Sequence, residues 1–109
     1  MKVLIKTNLN NVLDEFKGTF LNNRIVYIDN GVKTILDLNK KIFIRDNTNS
    51  SYKIELDFLN NDYKVYVNSN MYVNINIMLE TYEYKENKIK IVYFIDDTKY
   101  DYEINIIKN

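Results

Sequence analysis

The chain of 109 residues lacks six residue types altogether, namely alanine, cysteine, histidine, proline, glutamine and tryptophan. Without cysteine and histidine, it has no thiol nucleophile, no imidazole base, no disulfide and no zinc-ligand set of the usual kind. The residue types that remain for catalysis, Asp, Glu, Lys, Tyr and Ser, occur in no diagnostic motif. We therefore expect a protein that is not an enzyme and that holds neither a metal ion nor a cofactor.

An excess of charge and a long apolar run are also missing. Fifteen Lys and Arg balance fifteen Asp and Glu, so the formal net charge is zero. Near the amino terminus only three consecutive residues, Val3, Leu4 and Ile5, are apolar, whereas a signal peptide needs about 7–15 and a membrane span about 20. The sequence therefore predicts a cytoplasmic protein without a membrane span.

Asn, Ile, Lys and Tyr dominate what is present, with 18 Asn and 10 Tyr. Because AT-rich codons encode these four types, we interpret the bias as that of a low-GC genome, most simply a bacterial one. The alternative, an aggregation-prone Asn-rich tract, is less consistent with Asn residues that are spread between apolar runs. Since 46 % of the residues are hydrophobic, the chain can bury a core, and its length predicts a single domain over residues 1–109.

The apolar residues recur with a period of two, which is typical of strands with one buried face and one solvated face. The clearest examples are the segments 52–58, 89–95 and 100–106. Asn-rich turn signals separate these runs, and Asn30-Gly31 predicts a type I′ hairpin. The predicted strands are 2–7, 12–20, 24–29, 32–38, 41–46, 51–59, 63–67, 71–84, 88–96 and 99–107.

Short strands in close succession predict an all-β fold with antiparallel up-and-down pairing. Closure of the sheet into a β-barrel of about 8–10 strands would remove the unpaired edges, so a barrel is the first expectation and a sandwich the second. Within 71–84 the apolar phase changes from odd to even positions. This change predicts a bulge or corner near Glu80-Thr81, or alternatively two strands that are broken there.

Five segments form a recognisable series, in which a Thr follows a hairpin and an Arg ends a strand: 32–38 (VKTILDL), 41–45 (KIFIR), 52–58 (YKIELDF), 87–93 (NKIKIVY) and 102–106 (YEINI). This series resembles the YwiB-like family of small uncharacterised bacterial proteins. The resemblance, which extends from about Gly18 to the carboxyl end, implies a calycin-like (lipocalin-like) β-barrel. It implies no established activity and no catalytic residues.

Tyrosines on the apolar phase of the strands are the main chemical feature of the chain. A buried hydroxyl without a partner costs about 1–3 kcal/mol, so each needs another side chain, a water or a ligand. A barrel of this size either fills with side chains or encloses one small ligand, and both interpretations stay open. The candidate ligand-binding residues are Tyr52, Tyr82, Tyr84, Tyr93 and Tyr102, together with Arg45.

Arg45 is one of two arginines in a lysine-rich chain, which indicates that its planar guanidinium is used. A structural ion pair with Asp46, Asp57 or Glu55 is the favoured interpretation, and binding of an anion is the alternative.

The function we expect is binding of a small apolar or amphipathic ligand inside the barrel. The first alternative is homodimerisation or protein interaction through an outer sheet face. Residues with an outward phase, such as Phe43 and Ile35 beside Leu36 and Ile44, are candidates for this surface. A weaker alternative is binding of single-stranded nucleic acid, because Tyr and Lys interleave in 63–66 and 82–85. Zero net charge disfavours this alternative, since phosphate contacts dominate such affinity.

Overall fold

The structure, a computed structural model, describes residues 1–47, 52–68 and 71–108. These residues form eleven antiparallel β-strands and no helix, so the prediction of an all-β fold is confirmed. None of the described residues belongs to a helix that could cross a membrane. The strands are β1 (Lys2–Leu9), β2 (Val12–Leu21), β3 (Arg24–Asp29), β4 (Val32–Asp37), β5 (Ile42–Asn47), β6 (Tyr52–Asp57), β7 (Asp62–Asn68), β8 (Met71–Asn74), β9 (Ile77–Lys85), β10 (Lys88–Ile95) and β11 (Thr98–Lys108).

Asparagine makes the tight turns that glycine would otherwise make. Both central residues have a positive φ in the hairpin loops 10–11, 22–23, 30–31 and 86–87, and each loop joins strands whose flanking residues pair directly. These are the features of type I′ hairpins, so the turn predicted at Asn30-Gly31 is confirmed. Asn tolerates this backbone region better than any residue except Gly. The turns predicted at 47–49 and 68–70 extend outside the described residues.

The strands form one curled sheet in the order β8-β7-β6-β5-β4-β3-β2-β1-β11-β10-β9. Neighbours along the chain are neighbours in the sheet, except for β8 and β9, which lie at opposite edges. The pairing of β1 with β11 joins the first and last strands. This is the up-and-down pattern that the hairpin spacing predicts. The sheet curls into a half-barrel with β8 and β9 at its edges. A hydrogen-bonded closure between these two edges is not found among the described residues.

The predicted strand 71–84 is two strands, β8 and β9, separated by Ile75 and Asn76. The Ile75 N–H still donates to the Tyr63 carbonyl, 3.1 Å away. The chain therefore stays hydrogen-bonded to β7 as far as Ile75 and separates from β7 before β9 begins at Ile77. The predicted bulge is confirmed in β9, because Thr81 pairs with Val92 and Leu79 pairs with Tyr93, which leaves Glu80 as the extra residue. The break therefore lies several residues before the bulge.

The inner face of the sheet, which carries the alternate apolar residues, forms the core. Its fully buried members include Ile5, Ile25, Leu36, Phe43, Leu56, Ile89, Ile91 and Ile104. Leu36 and Phe43 pair directly and are part of this core. The expectation that Phe43 has an outward phase is therefore wrong, because strand alternation places Ile35 and Ile44 outward and their neighbours inward.

Gly18 allows three strands to approach closely on this inner face. A Cβ at this position would lie 2.7 Å from the Val26 carbonyl oxygen and 3.1 Å from atoms of Ile5 and Tyr27. Strand glycines mark sites of close backbone approach or bending. Gly18 therefore supports the curvature of the sheet across β1, β2 and β3.

Candidate binding cleft at the mouth of the curled sheet

A cleft of about 300 Å³ opens at one end of the half-barrel. It lies between β4, β5 and β6 on one side and β10 and β11 on the other. Its lining residues are Val32, Arg45, Asn47, Tyr52, Ile54, Tyr93, Ile95, Tyr100 and Tyr102. Four of the six predicted ligand-binding residues, Arg45, Tyr52, Tyr93 and Tyr102, are thus brought together.

Arg45 reaches this cleft because it shares the inner face of β5 with Phe43. Its Nη1 donates a hydrogen bond to Tyr102 Oη on β11, 2.6 Å away. Phe43 also contacts Tyr102, in an edge-on arrangement with ring centroids 5.4 Å apart. Because four other strands lie between β5 and β11 in the sheet order, these contacts cross the interior and exist only because the sheet curls.

Arg45 also forms an ion pair, but with a different partner from those predicted. Its Nη2 lies 3.3 Å from Asp29 Oδ2, and the two side chains are 22 % and 21 % exposed. An ion pair was the favoured interpretation, whereas its predicted partners Asp46, Asp57 and Glu55 are wrong. A guanidinium has five N–H donors, so the two contacts with Tyr102 and Asp29 leave donor capacity at the mouth.

Burial keeps the inward tyrosines in their neutral form. Desolvation raises the pKa of Tyr102, although the positive charge of Arg45 acts in the opposite direction. Desolvation, again the largest cause, also raises the pKa values of Tyr27 and Tyr93. A neutral Tyr102 accepts a hydrogen bond from Arg45 and keeps its own proton to donate. The mouth therefore holds both a cationic donor and a phenolic donor.

Aromatic and aliphatic side chains form the rest of the wall. The rings of Tyr93 and Tyr100 stack with centroids 5.1 Å apart and an interplanar angle of 12°, while Val32, Ile54 and Ile95 supply aliphatic surface. Clefts that hold small molecules combine largely apolar walls with a few polar groups that fix orientation. This cleft has that composition.

Tyr82 and Tyr84, the other two predicted residues, do not line the cleft. Tyr82 packs against Phe58, with ring centroids 5.7 Å apart, and Lys41 Nζ lies 5.3 Å from its ring centroid. Its buried hydroxyl has no hydrogen-bond partner among the described residues, and desolvation raises its pKa to about 12. Tyr84 is exposed on the edge strand β9. The structure therefore does not bring these two tyrosines together with the other four candidates.

Sequence reasoning missed Asp29 and the apolar wall of the cleft. Asp29 has the same alternation phase as the buried residues Ile25 and Tyr27, which is a signal that it faces inward. Tyr100 has the phase of Tyr102 and could have been included on the same ground. No local sequence pattern indicates which side chains contact each other across the interior of the curled sheet.

In the Tyr and Lys pattern of 63–66, Tyr63 is buried against Phe58 in the core, whereas Lys64 and Tyr66 lie on the outer face near the β8 edge. Tyr66 and Tyr72 have ring centroids 5.5 Å apart, and Lys64 Nζ lies 4.9 Å from the Tyr72 centroid. Lys64 is also 3.2 Å from Asp62, and Lys53 is 3.5 Å from Glu55. A carboxylate therefore accompanies each of these lysines, which disfavours phosphate binding.

No family model, no curated protein and no solved structure matches the chain.

Proposed function

We propose that this protein is a non-catalytic binding protein that holds a small amphipathic molecule in the cleft. The half-buried guanidinium of Arg45 at the mouth of an otherwise aromatic and aliphatic cleft supports this function best. The apolar part of the ligand would lie against Tyr93, Ile54 and Ile95. Its polar head would accept hydrogen bonds from Arg45 and Tyr102.

We also propose that the fold is a calycin-like barrel and that the chain is related to the YwiB-like family. The meander order and the pairing of β1 with β11 support a barrel. Only Ile75 and Asn76 separate the two edge strands along the chain, so the edges are covalently close. The proposed barrel is open between them, because the described residues of β8 and β9 form no ladder with each other.

The size of the cleft limits the ligand and its affinity. About 300 Å³ is at the lower end of the range for small-molecule sites, which is about 300–1,000 Å³. A ligand of about 12 non-hydrogen atoms, at about 0.35 kcal/mol per atom, gains about 4 kcal/mol, which corresponds to a Kd of about 1 mM. Fragment-sized probes are therefore the appropriate test.

The test is an NMR titration of the isotope-labelled protein with 4-phenylbutyrate and with 4-phenylbutanol, which share an apolar part and differ in the head group. We expect both to shift the methyl signals of Val32, Ile54 and Ile95, and the carboxylate to bind more tightly through Arg45. If neither probe shifts these methyl signals, the proposed function is wrong.

Substitution of the two arginines provides the matched control. Arg45→Lys replaces the planar fork with a point charge, so it should remove most of the preference for the carboxylate. Arg24→Lys changes the other arginine, which lies opposite Asp37 in the β3–β4 register, at the end of β3 away from Asp29, and should leave the preference intact. Equal effects of the two substitutions would exclude Arg45 as the residue that binds the head group.

A second candidate function is interaction with another protein through the outer face. A groove of about 740 Å³ on this face is lined by Leu4, Val26 and Ile28 and flanked by Lys2 and Lys17. Ile35 and Ile44 pair directly on the same face and are half-buried. If this surface binds a protein, Ile28→Lys should abolish the interaction and leave the cleft titration unchanged.

A further inference from the structure

The edge strand β8 has no charged side chain, and the backbone groups on one of its sides have no partner strand among the described residues. Met71, Tyr72 and Val73 are 66 %, 52 % and 57 % exposed, and Asn74 is also exposed. On one side β8 pairs with β7, and on the other side no strand of the described part of the chain pairs with it. An edge of this kind is a template for an additional strand.

The direction of the free hydrogen-bonding groups follows from the β7–β8 ladder. The Ile75 N–H donates to Tyr63, and Val73, two residues earlier, pairs with Val65, so residues 73 and 75 direct their backbone groups toward β7. In an antiparallel ladder these directions alternate. Tyr72 and Asn74 therefore direct their N–H and C=O groups away from β7, to the free side.

The other edge of the sheet differs because it carries protective features. β9 contains the bulge at Glu80 and the charged residues Glu83 and Lys85, and bulges and charges are the devices that prevent edge-to-edge pairing. β8 has no charged residue and no proline among its four residues, and the bulge in its ladder with β7 places the extra residue, Val67, on β7. The asymmetry favours pairing at β8 and disfavours it at β9.

We propose that β8 pairs antiparallel with β8 of a second copy of this chain, across a two-fold axis at Val73. In this register Tyr72 exchanges both backbone hydrogen bonds with the partner's Asn74, and symmetry repeats the exchange. Val73 faces the partner's Val73 as a non-hydrogen-bonded pair, in which side chains approach most closely. No like charges meet, because the strand has none, and the contact is closed and self-complementary.

The short strand limits the strength of this dimer. Four residues contribute little buried area compared with the roughly 1,200–2,000 Å² of stable interfaces, so we expect a reversible dimer with a dissociation constant of about 100 µM.

Sedimentation velocity between about 5 µM and about 1 mM, a range that brackets this constant, tests the proposal. We expect a transition from monomer to dimer with no larger species. Monomer throughout would overturn the proposal. Unlimited growth would also overturn it, since it would indicate head-to-tail pairing of β8 with β9.

Charge substitutions at Val73 identify the surface. Val73→Lys places two lysines opposite each other and should weaken the dimer at least about tenfold. A mixture of Val73→Lys with Val73→Glu should restore association, because opposite charges then face each other. Met78→Lys, on the β9 edge, and Ile28→Lys, on the outer face, are matched controls at exposed residues and should have no effect. An equal loss in either control, or no restoration in the mixture, would contradict the proposed pairing.

Proline substitution gives a second variant that does not depend on charge. Asn74→Pro removes an N–H that points to the free side, a position at which edge strands tolerate proline. The thermal midpoint at low concentration should change little, whereas the dimer should be lost. A dimer that persists in this variant would refute the register.

Discussion

Replacement of Tyr102 by Phe removes one oxygen atom and leaves the ring in place. The ring contact with Phe43 is retained, so the main loss is the hydrogen bond from Arg45 Nη1 at 2.6 Å. Hydrogen bonds to charged groups contribute about 1.5–3 kcal/mol when one partner is removed. Because the Arg45 side chain is 22 % exposed and water can partly replace the phenol, we expect a loss of about 1.5 kcal/mol in the free energy of unfolding.

The matched variant is Tyr82→Phe, which removes the same atom from a different environment. The Tyr82 hydroxyl is buried without a hydrogen-bond partner among the described residues, so its removal relieves a desolvation cost and breaks no bond. We expect a gain of about 0.5 kcal/mol, which is less than the 1–3 kcal/mol of a fully buried unpaired group. The two variants should therefore differ by about 2 kcal/mol.

Urea unfolding followed by circular dichroism measures this difference. With an m value of about 1.3 kcal/mol/M, a typical value for a chain of this size, the two midpoints should differ by about 1.5 M. A double-mutant cycle of Tyr102→Phe with Arg45→Met should give a coupling energy of about 1.5 kcal/mol. Equal midpoints for the two tyrosine variants, or zero coupling, would refute the reasoning.

Three further predictions concern the backbone and the tyrosines. Gly18→Ala should lower the free energy of unfolding by about 2 kcal/mol, because the new Cβ would approach the Val26 carbonyl to 2.7 Å; a stabilised variant in urea unfolding would contradict this account of the curvature. Glu86→Gly should raise the free energy of unfolding by about 1 kcal/mol, because Glu86 has a φ of 54° that favours glycine. Glu83→Gly, within β9, should lower the free energy of unfolding. Burial raises the pKa of several tyrosines, that of Tyr82 to about 12, so the unfolded chain loses phenolic protons first. The stability that the buried, protonated tyrosines contribute should therefore be complete below about pH 10 and decline as the pH rises to about 12. A thermal midpoint that stays constant over this interval would contradict this prediction.

Local features of the fold were predictable from the sequence because their causes are local. Alternation with a period of two locates the strands to within a few residues. The requirement for a positive φ identifies Asn30-Gly31 as a hairpin, and the change of phase locates the bulge at Glu80. The same alternation, continued through β5, places Phe43 on the inner face together with Arg45.

The residues that line the cleft were only partly predictable. Periodicity indicates on which face of the sheet a side chain lies, but it does not indicate at which end of the sheet the side chain lies. Tyr82 and Tyr93 both have an inward phase, yet only Tyr93 lies at the mouth. The stagger between strands separates them, and this stagger depends on registers that no single segment encodes. The partner of Arg45 was missed for the same reason, since Asp29 lies two strands away in the sheet.

The central claim is that the sheet curls until β5 and β6 face β10 and β11 across an apolar interior. Nuclear Overhauser spectroscopy of the aromatic protons tests this claim most directly. We predict cross-peaks between the rings of Phe43 and Tyr102, whose centroids are 5.4 Å apart, and between those of Phe58 and Tyr93, at 5.9 Å. Cross-peaks between directly paired neighbours such as Phe43 and Leu56 without these two would contradict the curled sheet.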